Sequence, residues 1–528
     1  MPRSRFRWFA ILMPMVAAVS QAQPFLYYRG IVNAASQMPG GLPGGAVARG
    51  AIFSISGRNF GSGSATIAIT QGGTTVGATA ISVTPDRIDA VMPSNAPLGL
   101  SSVRVTANNV RSNPMPVQIV STQFGIFTNN GAGNGPSISS VIGDDGTLTP
   151  MTLQSPTAPG QAVALSGTGL GNAALSAIEV YVGGTKASIL NAQPANGDPF
   201  KDAIQFLVPD DAPLGCWTPV YVKTSATAVS NFATMAISSD GRACTEPDNP
   251  LASALINGGR IGSYAVARLA VRHDAGVRTP RDASTDLLGA YQAAEEPGPA
   301  NFHPIFSLPP ARSCAVYSGP GEFSPSDMIL PRPTLAALVS GGITLTGSKG
   351  EKAAAETDYP GISLAEIAGA IPSLPFTNTT FLDPGAFTLN LAGGADIGSA
   401  SADTTAPQPF AWTNRDQTLA IDRTKGIPVS WIGGDPDSTV LIVGHGSDLP
   451  SNASSVFICR TLPGTSSFTV PADVIANIPA SRASGTQSLG AVYVGKVNLG
   501  NPSSLAADGL DFGSLLSIFV NGKTVRFQ

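Results

Sequence analysis

Short runs in which apolar and polar residues alternate, broken by Gly, Pro or Asn roughly every 8 to 15 positions, dominate the first half of the chain. Phe53 and Ile55 alternate with Ser54 and Ser56 before Gly57, and Val163 and Leu165 alternate with Ala162 and Ala164 before Ser166-Gly167. Ile67 and Ile69 lead to Gly72-Gly73, as Ile178 and Val180 lead to Gly183-Gly184. Val103 and Val105 answer Val220 and Val222. A period of two places every second side chain on one face, so each run predicts a strand with one buried side.

These matches recur in the same order around a shared turn. Val91-Met92-Pro93-Ser94-Asn95-Ala96-Pro97-Leu98-Gly99 is echoed by Leu207-Val208-Pro209-Asp210-Asp211-Ala212-Pro213-Leu214-Gly215. Each copy closes with Ser-Asn and two further apolar positions: Ser112-Asn113 with Val117 and Ile119, then Ser230-Asn231 with Met235 and Ile237. Ordered landmarks of this kind mark an internal repeat, here of two antiparallel sandwiches. The second copy is longer, and a loop at 194–202 is the expected place, because lengthening a loop costs little entropy.

Beyond Cys244 the pattern loosens. Strands are expected at 265–271, 315–317, 343–345 and 387–391, then more clearly at 410–413, 427–431, 440–443, 456–459, 491–494, 516–520 and 525–527. Two short helices are expected. Ser363 and Glu366 have capping-box spacing ahead of 364–370, and Pro471 suits the first position of 472–478.

The Ser-Gly-x-x-(Phe/Leu)-Gly turn after the first strand, the Gly-Gly hairpin, the Met-Pro or Val-Pro before Ala-Pro-Leu-Gly and the closing Ser-Asn resemble the immunoglobulin-like TIG/IPT module. With Ile31-Val32-Asn33-Ala34-Ala35-Ser36, Phe124-Gly125-Ile126-Phe127-Thr128 and Gly131 to Gly135, residues 28–245 are similar to repeats in uncharacterised exported bacterial proteins. The resemblance implies an early-set immunoglobulin-like fold and a secreted or cell-surface setting; it carries no catalytic residues. The fold class expected is all-β, with tandem TIG/IPT-like sandwiches followed by a larger β-rich C-terminal region.

The N-terminus reads as a secretory signal, so an exported chain is expected. Arg3, Arg5 and Arg7 precede an apolar run from Phe9 to Val19, and Ser20-Gln21-Ala22 offers small residues for signal-peptide cleavage after Ala22. The expected organisation is a signal peptide at 1–22, a first sandwich with its lead-in at 23–128, a Gly/Pro-rich linker at 129–155, a second sandwich at 156–247, a β-rich domain at 248–405 and a sandwich-like domain at 406–528. No later apolar run is long enough to span a bilayer as a helix. A net charge of −4 argues against nucleic acid as a partner. The four cysteines are even in number, as disulfides require in an exported chain. Cys216 and Cys244 fall in the second repeat and Cys314 and Cys459 in the C-terminal region, which gives the expected pairing.

Candidate chemistry is sparse. The histidines are His273, His303 and His445. Gly444-His445-Gly446-Ser447-Asp448 holds the three residue types of a serine hydrolase, yet triad partners converge from separate loops, so a surface turn is expected there. His303 is expected in a loop. Asp435-Pro436-Asp437, with Asp416, Asp422 and Asp448, offers calcium or glycosidase chemistry as an alternative to a turn. Trp217 is expected to pack on its neighbouring disulfide, and Trp412 and Trp431 are the candidates for stacking on a sugar. The sequence thus favours an exported, non-catalytic adhesion or binding scaffold for an unknown protein or carbohydrate, with no cofactor. The alternative is an extracellular hydrolase or carbohydrate-binding protein with its site in residues 250–528.

Overall fold

The repeated alternation produces repeated strands. The computed structural model describes residues 22–528 with breaks, the longest at 322–335, 369–379 and 482–489. The expected signal segment lies, apart from Ala22, outside the described residues. In the first module the strands Phe25–Asn33, Ile52–Arg58, Arg87–Val91 and the second half of Thr74–Val83 form one layer. The first half of Thr74–Val83, with Ala65–Gln71, Gly99–Ala107 and Met115–Val120, forms the other. Between them Phe53, Ile55, Ile67, Ile69, Val103, Val105, Val117 and Ile119 pack into one core. All-β architecture follows as the sequence predicts.

The second module repeats this order with Ala162–Thr168, Glu179–Val182, Asp198–Leu207, Gly215–Lys223 and Ala233–Ile237. Two differences matter. The strand that crosses between layers is split into Thr185–Lys186 and Ser188–Ala195, so the layers form separate sheets. The added length extends the hairpin of Ser188–Ala195 with Asp198–Leu207 instead of forming the expected loop, because paired backbone satisfies its own polar groups. The segment expected to be a linker, 129–155, also belongs to this module. Its strand Ser139–Ile142 pairs with Ala162–Thr168 on one side and with Leu148–Pro150 on the other, and Phe124, Ile126 and Met151 join the second core.

Burial explains a further asymmetry. In Gly99–Ala107 buried positions alternate with partly exposed ones, whereas in Gly215–Lys223 every residue through Val222 is buried. Both faces of the second strand are covered, as its nearly continuous apolar run requires. One face packs in its own module. The other meets the C-terminal region, where Tyr221, Val229 and Phe232 share a core with Trp412, Trp431, Phe457 and Val474. Lys223 Nζ and Tyr221 Oη reach the carboxylate of Asp473 at 2.8 and 3.2 Å across the same contact.

Among the described residues the C-terminal region holds a 14-stranded sheet. Gly259–His273 runs at its centre, antiparallel to Arg281–Glu295 and parallel to Phe512–Thr524. Ser313–Pro320 pairs with Ala453–Arg460. Strands from both sides of residue 405 therefore share one hydrogen-bonded ladder, and the boundary expected at that residue runs through it. The helix expected at 364–370 is the strand Ile362–Ala368, paired along Arg281–Glu295. The second expected helix forms at Ala472–Ala476, with Pro471 as its N-cap. An additional short helix, Ala252–Asn257, leads into the long central strand.

Candidate functional site

The cysteines pair as Cys216–Cys244 and Cys314–Cys459. Trp217, 1 % exposed, packs in the cluster that holds Cys216 and Cys244. Cys314 and Cys459 face each other directly across two antiparallel strands. Both disulfides are buried, as structural cross-links are.

The aromatic candidates are turned inward. Trp412 and Trp431 are 4 % and 3 % exposed and sit opposite each other in paired strands. Trp412 Nε1 donates to Asn414 Oδ1 at 2.8 Å and Trp431 Nε1 to the Thr465 carbonyl at 2.9 Å. Neither ring has a face open to a ligand, so the sugar-stacking expectation fails at both. A buried indole with a satisfied N–H is core filling.

His445 does not lie in a surface turn. It occupies the strand Thr439–Asp448, its ring 6.1 Å from that of Tyr493, and burial pushes its pKa down to about 4. The flanking glycines serve packing: a Cβ at Gly444 would meet the Phe457 ring at 2.2 Å, and one at Gly446 would meet Ile478 at 2.6 Å. His303 does lie outside regular structure, but it is 5 % exposed, between Tyr291 and Phe306. Burial pushes its pKa down to about 3. His273 is buried at the end of the central strand.

The carboxylates are engaged locally. Asp435 accepts the N–H of Asp437 at 3.0 Å, closing a turn. The Thr424 hydroxyl and N–H, with Lys425, lower the Asp422 pKa to about 2. Asp416 faces Arg272 and Arg415. Fully buried Asp286 is held by Arg268 Nε at 2.8 Å and by the N–H of Leu382 at 2.7 Å. Fully buried Lys523 meets Asp274 Oδ2 at 3.0 Å and the carbonyls of Arg415 and Asp416 at 2.9 and 3.1 Å. Each such charge has the partners that burial demands.

The two modules also offer exposed apolar surface. On the first strand Phe25, Tyr27 and Tyr28 are 42 %, 46 % and 62 % exposed, beside Arg58 and Arg29. Tyr28 Oη donates to the Pro450 carbonyl at 2.7 Å. Four consecutive large residues, Phe25-Leu26-Tyr27-Tyr28, of which one is buried, were the signal available in the sequence. The split strand of the second module borders a shallow groove of about 590 Å³ lined by Leu175, Ile178, Lys186, Ala187 and Ile189.

No curated protein matches this chain. Among solved structures it is similar to gamma-CGTase from alkalophilic Bacillus clarkii (12 % identity, TM-score 0.15, covering 38 % of this chain and 23 % of that one). It is also similar to the plexin A4 extracellular region (12 %, 0.17, 42 % and 18 %). A third is the Bacteroides ovatus mixed-linkage glucan utilization locus SGBP-B in complex with a mixed-linkage heptasaccharide (13 %, 0.21, 47 % and 65 %). The chain spans less than two thirds of each of these, and at such scores they carry no functional argument. The motifs of the first module are matched directly: residues 43–122 fit the IPT/TIG domain family, so the first repeat is a sandwich of that immunoglobulin-like type.

Proposed function

We propose that this is an exported, non-catalytic binding scaffold that works through the outer surfaces of its sandwiches. The observation that carries the reading is the shared core of the second module and the C-terminal region, in which Tyr221 and Phe232 pack with Trp412 and Trp431. A shared apolar core of this kind fastens the two units together, as a presenting scaffold needs. The histidines and carboxylates singled out for hydrolysis serve strand packing, turns and ion pairs, which supports the same reading over the hydrolase alternative. Two buried disulfides suit an oxidising compartment.

Secretion of the full-length chain by its host tests this. The extracytoplasmic protein should begin at Gln23, carry no maleimide-reactive thiol before reduction, and stay with the cell surface or medium. Cytoplasmic retention with free thiols would refute export. Turnover of ester or glycoside substrates, abolished by His445→Ala, would favour the hydrolase.

A further inference from the structure

The repeat allows one corner of the first module to be set beside its counterpart in the second. Phe25 pairs with Arg58 and Leu26 with Gly57; Gly125 pairs with Thr168 and Ile126 with Gly167. In the second module this corner is covered by the first. Asn33 Nδ2 lies 3.4 Å from the carbonyls of Gln123 and Thr168, and the Ile52 N–H donates to Thr168 Oγ1 at 3.0 Å. A Cβ on Gly125 would stand 2.5 Å from Asn33 Oδ1, so small residues are a condition of that contact.

The first module carries large residues at the same two places. Phe25 and Arg58 are too bulky for another sandwich to seat in the same way, and both are exposed. The Arg58 guanidinium lies 5.2 Å from the centre of the Phe25 ring, a cation–π contact that steadies both groups. Tyr27 stands 6.3 Å from Phe25, centre to centre, with the ring planes at 60°.

The shape of this patch selects its occupant. An added peptide strand would need the backbone between the rings, but Asn113 takes both the N–H and the carbonyl of Leu26, at 2.8 and 3.0 Å. Rings of this type bury 150–250 Å² each, so the exposed parts of Phe25 and Tyr27 amount to on the order of 200 Å². A stable protein interface needs about 800 Å² per partner. Partly exposed ring surface beside a guanidinium, over so small an area, matches a small ligand better than a protein partner.

We propose that Phe25, Tyr27 and Arg58 form a carbohydrate site that takes pyranose units of a polysaccharide. The C–H faces of the sugar lie on the electron-rich rings, and hydroxyl or carboxylate oxygens accept from Arg58. This rests on the binding-scaffold reading and adds to it a place and a ligand class.

Affinity electrophoresis of the oxidised full chain tests it, in native gels containing hydroxyethyl cellulose, xylan or polygalacturonate. At least one polysaccharide should retard the chain, and F25A/Y27A should bind it at least tenfold more weakly. F25L/Y27L, which keeps apolar bulk without rings, should lose retardation equally and separates ring loss from misfolding. R58Q should weaken polygalacturonate binding more than binding to the neutral polymers. Unaltered migration in all three gels overturns the site. Retardation that persists in F25L/Y27L also overturns it, while leaving a binding scaffold whose site lies elsewhere.

Discussion

Asn231 holds Ile126 by both of its backbone polar groups. Its Oδ1 accepts the Ile126 N–H at 2.8 Å and its Nδ2 donates to the Ile126 carbonyl at 3.0 Å, with a second bond to the Gly133 carbonyl at 2.7 Å. Asn113 does the same to Leu26. The preceding serine is equally repeated: Ser112 Oγ accepts from Val105 and donates to the Asn113 carbonyl, as Ser230 Oγ accepts from Val222 and donates to the Asn231 carbonyl. The Ser-Asn pair is therefore a lock that fastens each module's first strand to its end. Asn231→Ala leaves buried groups unpaired, and a loss of about 3 kcal/mol in urea unfolding is expected. Asn113→Ala, at a half-buried site, should cost less, about 1–2 kcal/mol.

The two disulfides should differ in weight. Cys314–Cys459 joins residues 145 apart and Cys216–Cys244 residues 28 apart. On the chain-entropy model the first contributes about 5 kcal/mol and the second about 4 kcal/mol. Removing Cys314 and Cys459 together should lower the thermal midpoint further than removing Cys216 and Cys244; the reverse order would place the balance in native packing.

Acid should weaken the fold through His303. Burial holds its pKa near 3 against an ordinary 6.5, so the unfolded chain takes up the proton first as pH falls. Stability present above pH 6.5 is then lost toward pH 3, with a slope of up to about 1.4 kcal/mol per pH unit from this group. Among the described residues neither ring nitrogen has a hydrogen-bond partner. His303→Phe should therefore raise stability at pH 7 by roughly 1 kcal/mol and flatten its decline between pH 6.5 and 4.5. Calorimetry across that range measures both effects, and an unchanged slope would assign the acid sensitivity elsewhere.

Trp431 should matter to stability and not to ligands. Truncation to Ala is expected to cost about 3–5 kcal/mol, because the ring fills the core shared with the second module. A milder replacement, Trp431→Phe, should leave polysaccharide retardation unchanged. Loss of retardation in that variant would return the sugar site to the C-terminal region.

Most strands of the two modules were legible because one face is buried, and Val, Ile and Phe at every second position say so directly. The disulfide partners were legible from their placement in two regions. Other features depend on neighbours that no local pattern reveals. A capping-box spacing at Ser363 and Glu366 is worth about 1 kcal/mol, less than the ladder that Ile362–Ala368 forms with Arg281–Glu295. Glycines beside His445 suggested a turn, but they leave room for Phe457 and Ile478 across the sheet. Trp412 and Trp431 looked like binding residues because indoles serve both purposes, and only their burial decides between them. Gly- and Asn-rich residues at 129–155 resembled a connector, yet an added strand pair needs few large side chains when a neighbouring sheet supplies the core.

Tyr221 and Phe232 also bear on the history of the chain. A duplicated unit remains portable only while its outer face is polar, as it is along Gly99–Ala107. The second copy packs that face on its downstream neighbour, and Gly215–Lys223 is apolar on both sides. The later copy, cut loose, would expose a greasy flank and precipitate. The second repeat is thus captive to the region that follows it.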